Sequence, residues 1–267
     1  AKVLVLEDAQ GQQQGIVTLD LISIPRAVRE RLEAEIRERF NWPPEALWIN
    51  ASHTHCGPEL RATAYDGKTP ADERAKQAAD YVMRLERAII AMLADCRSHL
   101  APVKLGWSHA RCGFAMNRRL PTPNGVQNSP YPDGPVDHDV PILRVDDADG
   151  KLLAVLFGYA CHNTTLSFYE FCGDYAGFAQ QALEDAHQGA IAMFVTGCGG
   201  DQNPYPRGQL DLCQQHGRAL ATAVEAGLLP AAKPIRGKLS RGMETVTLEF
   251  APPPDKATLE TRTASKN

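Results

Sequence analysis

The sequence predicts a layered α/β domain with a mixed β-sheet and flanking helices. Three observations carry this. Short apolar runs with strand character alternate with long amphipathic helical patterns. Some neighbouring strands are joined by tight turns and others by helices, which calls for a mixed sheet and not a simple Rossmann arrangement. Several apolar strands run straight into polar or glycine-rich turns, and strand ends are where layered α/β domains assemble sites.

The elements follow in order. "KVLVLED" and "QGIVTLDLISI" read as paired strands around the turn "AQGQQ". Pro25 opens a helix, "PRAVRERLEAEIRERF", with Val28, Leu32 and Ile36 on one face. "ALWIN" is the next strand. Residues 71–97 form a long helix with an apolar stripe of Ala78, Val82, Leu85, Ile89, Met92 and Leu93. "PVKLGWSHARCGF" reads as a strand. Residues 117–138, rich in Asn, Pro and Gly, read as a long loop, a type of segment that is often functional.

"VPILRVDDADGKLLAVLFGYA" is a hairpin turning at Asp149-Gly150. "DYAGFAQQALEDAHQ" is a helix with Asp174 near its start, and "AIAMFVTG" a fully apolar strand. "LDLCQQHGRALATAVEAG" is a helix stopped by Gly227, and "KLSRGMETVTLEF" a closing strand. No internal repeat is found.

Composition narrows the function classes. The chain has 267 residues, 43% hydrophobic and 22% charged, an ordinary globular balance. Its formal net charge is −4 and its basic residues form no stripe, which disfavours nucleic acid as a partner. No apolar run approaches the roughly 18–20 residues that span a bilayer. The sequence opens in a strand, without an initiator Met or a signal-peptide pattern, so a segment of a longer protein is expected. The seven cysteines include no CxxC pair and allow at most three disulfides. Cys56, Cys161 and Cys198 neighbour the motifs below. Small residues packed under a site explain them, with nucleophile or ligand roles as the alternative.

Three loops share one design, an apolar strand followed by a polar or glycine-rich turn: "LWINASHTHCGPE", "VLFGYACHNTT" and "MFVTGCGGDQNPYPR". In an extended segment His53 and His55 point to one side. Neutral imidazole binds zinc at about 2.0–2.1 Å. The alternative is a pair of solvent-facing loop histidines. His162 follows a buried strand and is either a hydrogen-bonded rim residue or a second ligand paired with His53. The amides of "GCGGDQNP" can cradle an oxyanion, or the segment is a tight turn ended by Pro204. It is neither a Walker loop nor GxGxxG, so nucleotide binding is unsupported. Arg118 is either a surface arginine or one that binds a carboxylate or polarises a carbonyl. Asp20 is either a turn residue or an acceptor that orients a ligand histidine.

Taken together, "SHTHCGP", "MNRR", "CHNTT", "GDYAGFAQQALE" and "GCGGDQNP" resemble, in order and spacing, the catalytic domain of the neutral/alkaline, non-lysosomal ceramidases and their bacterial relatives. The resemblance covers about residues 15 to 225. It implies that His53 and His162 bind one zinc ion, that His55 touches substrate or metal-bound water, and that Arg118 lines the active site. The family's other two zinc ligands, a Glu and a Tyr, lie further downstream than residue 267. Residues 1–250 then look like a ceramidase-like catalytic domain cut short at both ends, with 251–267 a linker or loop tail. The sequence departs from the family at Asn203, where true ceramidases carry a serine within "GDxSPN", and at Glu59-Leu60, where glycines are usual.

The expected activity is zinc-dependent hydrolysis of an N-acyl amide by zinc-activated water, in lipid and sphingolipid metabolism. His55 would act as general base or hydrogen-bond the tetrahedral intermediate, Arg118 and the amides of Gly199 and Gly200 would hold the oxyanion, and Asn203 would contact substrate. The expected partner is a small-molecule or lipid amide substrate. The resemblance suggests an extracellular or periplasmic location. Two alternatives stand beside this: a binding domain that keeps the fold without the reaction, and zinc hydrolysis of another bond such as an ester.

Overall fold

In the computed structural model, residues 1–58, 60 and 73–264 are described. The chain opens with an antiparallel pair, β1 (Lys2–Glu7) and β2 (Gln13–Leu19), with Lys2 opposite Thr18. α1 (Arg26–Phe40) starts after Pro25, whose fixed φ suits a helix entry and whose missing N–H costs nothing there. Val28, Leu32 and Ile36, spaced by four, form its buried stripe. Asn41, at φ 55, ends it in the left-handed conformation that asparagine tolerates. After a short 3-10 turn, β3 (Leu47–Ala51) returns parallel to β2.

α2 (Glu73–Ser98) covers this first sheet with Val82, Ile89, Ile90 and Leu93 buried. The expected helix start at residues 71–72 lies outside the described residues, as does Glu59.

A second sheet has the order β11-β4-β7-β8-β9. Its strands are β4 (Lys104–Arg111), β7 (Asp139–Asp146), β8 (Leu152–Tyr159), β9 (Ile191–Thr196) and β11 (Lys233–Ile235). β7 and β8 form the expected hairpin, with Gly150 at φ 89 in its turn. β8 and β9 are parallel, joined through α3 (Asp174–Ala186). α3 packs on α4 (Leu210–Leu228) over a core that includes Tyr159, Tyr175, Phe157 and Phe194. Parallel and antiparallel pairs thus coexist, as the mixed-sheet reading requires.

The two sheets meet at Asn50. Its side chain behaves as a strand backbone would: Oδ1 accepts from Thr196 N at 2.9 Å and Nδ2 donates to Thr196 O at 3.2 Å. Beside this seam, Ile16, Leu156 and Met193 form a small buried cluster. The seam aligns the C-terminal ends of β3 and β9, and β8 pairs with β9 to its last residue, Tyr159 opposite Thr196.

Three expectations are corrected. Residues 117–138 are not one long loop: β5 (Ala115–Thr122) and β6 (Gly125–Tyr131) form a hairpin, and β10 (Gln202–Pro204) pairs with β5 to complete a third sheet. β6 is mostly exposed, so it lacks the apolar alternation that marks a half-buried strand. Gly227 does not stop α4 but lies buried within it. A Cβ there would come within 2.3 Å of Ile142 Cδ1, so the glycine permits close helix–sheet approach. Residues 238–250 form no strand. Their first residues are tied to the β1–β2 hairpin, where Leu239 N donates to Asp8 Oδ2 at 2.7 Å and Arg241 Nη1 to Gln13 O at 2.7 Å. The tail carries a short exposed helix, α5 (Lys256–Ala264). All seven cysteines are free: Cys56 and Cys161 are packed in the core, while Cys198 is exposed.

Candidate active site

The loop after β3 leaves the sheet with two further ladder bonds, Ser52 N to Leu19 O and His53 N to Leu21 O. His53 then turns at φ 65, a left-handed conformation that costs a non-glycine residue on the order of 1–2 kcal/mol. The segment is therefore not extended as expected. Thr54 is buried and donates to Cys172 O at 2.8 Å, which ties this loop to the start of α3. The histidines on either side of Thr54 still meet, with ring centroids 5.2 Å apart.

The loop after β8 brings His162 to the same place. Its ring lies 4.9 Å from that of His53, edge to face. Asp174 fixes this loop. Its buried carboxylate accepts from Thr165 N at 3.2 Å, Leu166 N at 2.8 Å and Tyr175 N at 2.7 Å. Asp174 itself sits at φ 53. Asn163, also buried, donates to Ser52 O at 3.0 Å and so couples the two histidine loops directly.

The third loop, after β9, passes under His162. Gly199 lies so close to the β8 loop that a Cβ would come within 2.5 Å of Cys161 N. Its carbonyl accepts from His162 Nδ1 at 2.6 Å. The Gly199 amide, expected to face an oxyanion, instead donates to Gly197 O at 2.8 Å. β10 then pairs with β5, setting Gln202 opposite Asn117, and Arg118 N donates to Asp201 O at 2.8 Å. This pairing carries Arg118 into the site. Its guanidinium donates to His162 Nε2 at 3.0 Å, to Asn203 Oδ1 at 3.2 Å and to Gly200 O at 2.8 Å.

His53, His55, His162, Arg118 and Asn203 are thus brought together. Asn203 is only 1% exposed and occupied at both ends, with Nδ2 directed to Tyr205 Oη at 3.5 Å. It stands behind Arg118 and accepts from its Nη1. Asp20 is exposed and does not orient His53. That place is taken by the Ile22 carbonyl, 2.6 Å from His53 Nδ1. Sequence reasoning passed over Asn163 and the clamp made by Asp174. A groove of about 830 Å³ between α1 and α2, lined in part by Leu32, Phe40, Met83 and Ile90, shares no residue with the cluster.

The hydrogen bonds assign the imidazole protons. A carbonyl only accepts, so Nδ1 carries the proton in His53 and His162, and Nε2 keeps a lone pair in the neutral ring. Burial pushes the His162 pKa down, and Arg118 adds to this, against the raising effect of the bond to Gly199. His55 is also pushed down, first by burial, then by His53 and Arg207. More than a third of its surface stays exposed, so water offsets part of that effect.

Two solved structures share this architecture. One is the neutral ceramidase from Pseudomonas aeruginosa, with a TM-score of 0.71 and 21% identity over 88% of this chain and 40% of that one. The other is a ceramidase complexed with C2, with a TM-score of 0.72 and 21% identity over 88% of this chain and 39% of that one. The fold is ceramidase-like. The chain spans about two fifths of those proteins' length. No protein-family model matches the sequence, and no curated protein does.

The donor set suits zinc in kind. Two imidazoles are pinned through Nδ1 to backbone carbonyls, the usual support for a ligand histidine, which leaves Nε2 as the atom that would face a metal. The set is partial in number: among the described residues, no group of three or more His, Cys, Asp or Glu is arranged to hold an ion. At His162 the Nε2 lone pair is engaged by Arg118, which must move for a metal to bind there.

Proposed function

We propose that this domain is part of a zinc-dependent amide hydrolase acting on N-acyl amides. The reading rests on one observation above the others: His53 and His162, from separate strand ends, lie 4.9 Å apart with both Nδ1 atoms held by backbone carbonyls. These two residues would hold the ion. A zinc ion held there would supply Lewis acidity, polarising a carbonyl and acidifying water.

This chain's own residues do the rest. His55, neutral at physiological pH, accepts a proton at the reacting centre and returns it to the leaving amine. Arg118 donates hydrogen bonds to the carbonyl oxygen as charge develops there. Asn203 and Gly200 O hold the guanidinium in place through Nη1 and Nη2. An amide side chain at position 203 is no nucleophile, so the chemistry does not pass through it.

The test is kinetic. With zinc restored, His53→Ala should lower kcat/KM for an N-acyl amide about 1,000-fold or more, and Asn203→Ala about tenfold. Equal losses, or a larger loss at Asn203, would move the essential chemistry into the glycine-rich loop and contradict the reading. A second reading, a non-hydrolytic binding domain, is favoured by the Arg118 bond that engages His162. Absence of turnover on a panel of amides and esters by the zinc-loaded, full-length protein would select it. Turnover of esters alone would select ester hydrolysis.

A further inference from the structure

The rim of the site carries three guanidinium groups, Arg118, Arg119 and Arg207, none in an ion pair among the described residues. Arg118 and Arg119 reach only neutral acceptors. Arg118 Nε and Nη2 and Arg119 Nη2 converge on the single carbonyl of Gly200 at 3.1, 2.8 and 3.2 Å. The other Arg118 bonds end on Asn203 and His162. Arg207 is exposed and makes no side-chain hydrogen bond among the described residues.

The backbone holds Arg207 close to the cluster. Tyr205 N donates to Phe114 O at 3.1 Å and Gly208 N to Thr165 O at 2.8 Å, so the segment is tied on both sides of the arginine. Its positive charge acts on both His55 and Arg118.

Among the described residues no acid forms an ion pair with this rim, although the buried Asp174 carboxylate acts on His55. The Asp174 carboxylate is buried and consumed by three backbone amides. Asp201 is approached by the amide groups of Asn117 and Gln202 at 3.5 and 3.4 Å. Elsewhere, arginines meet acids: Arg31 with Glu86, Arg39 with Glu35, Arg144 with Asp146. In a chain of net charge −4, the site gathers three guanidinium groups that no carboxylate pairs with among the described residues. Like charges held together repel, and an anion brought among them relieves the repulsion. Guanidinium matches a carboxylate or phosphate through paired N–H donors.

Resting on the amide-hydrolase reading, we infer that the preferred substrate is an N-acyl amide whose head group carries an anion, a carboxylate or phosphate, received by Arg207 beside Arg118. A neutral head group leaves the arginines uncompensated and is selected against.

The test compares N-octanoylglycine with N-octanoylethanolamine, which share acyl chain and amide but differ in charge, on the full-length protein. The glycine amide should have the higher kcat/KM by about tenfold or more, as expected for one charge-assisted contact. Arg207→Gln should erase about tenfold of that preference, mainly through KM, and Arg207→Lys should restore part of it. Calorimetric titration of both amides is the second readout. Tighter binding of N-octanoylglycine that depends on Arg207, without hydrolysis of either amide, would uphold the anion site and remove the hydrolase reading. Equal turnover and equal binding of the two amides, or a preference unchanged in Arg207→Gln, would overturn the inference while leaving the hydrolase reading standing.

Discussion

Arg118 Nη2 lies 3.0 Å from His162 Nε2 and occupies the one lone pair that this imidazole has left after Nδ1 is bonded to Gly199 O. The same lone pair would serve a metal, so guanidinium and metal compete for it. Arg118→Leu should therefore tighten zinc binding by about fivefold, the worth of roughly one hydrogen bond, while lowering turnover. Competition against a fluorescent chelator measures the first effect. Unchanged or weaker zinc affinity would show that no competition exists.

Acid should loosen the metal-free protein through His55 and His162. Both are pushed below the ordinary histidine range in the fold, chiefly by burial. Below about pH 6.5 the unfolded chain takes up protons that the folded one resists, so stability is kept above that pH and lost as pH falls. The urea midpoint at pH 5.5 should lie below that at pH 7.5, and the drop should shrink in the double variant His55→Gln, His162→Gln. A drop of the same size in that variant would assign the acid lability to other groups.

Asp174 is a structural clamp. Its carboxylate receives three backbone amides and lies 3.5 Å from Cys213 Sγ. Asp174→Ala orphans those buried donors and should cost about 2–4 kcal/mol in a denaturant titration. A loss below about 0.5 kcal/mol, within the range of surface substitutions, would show that the loop holds without it.

The half-buried Cys172 thiol is held below its ordinary range by the neighbouring Cys213 thiol and by the Asp174 amide, which donates to its sulfur at 3.3 Å. Burial drives the thiols of Cys161 and Cys112 upward. Peptide mapping after brief iodoacetamide treatment at neutral pH should find Cys172 modified while Cys112, Cys161 and Cys213 are labelled only in denaturant. Protection of Cys172 under the same treatment would contradict a lowered Cys172 pKa.

Elements with strong periodicity were legible in the sequence. The four-residue spacing of Val28, Leu32 and Ile36 and the apolar β7–β8 hairpin appear where expected. So does the meeting of His53, His55 and His162, because strand-end motifs in one domain converge when the strands align. What lay hidden depends on partners distant in sequence. β6 is nearly all exposed and carries no apolar pattern. Arg118 enters the site only because β10 pairs with β5. The burial of Asn203, the Ile22 carbonyl in the place considered for Asp20, and the consumed Gly199 amide are each set by tertiary contacts.

The most direct measurement is zinc per chain in the full-length protein purified without chelators, compared with His53→Ala and His162→Ala. About one zinc per chain in the parent, lost in both variants while the fold is retained by circular dichroism, is the predicted result. Zinc retained in both variants, or N-acyl amide hydrolysis by protein that carries no metal, would contradict the account.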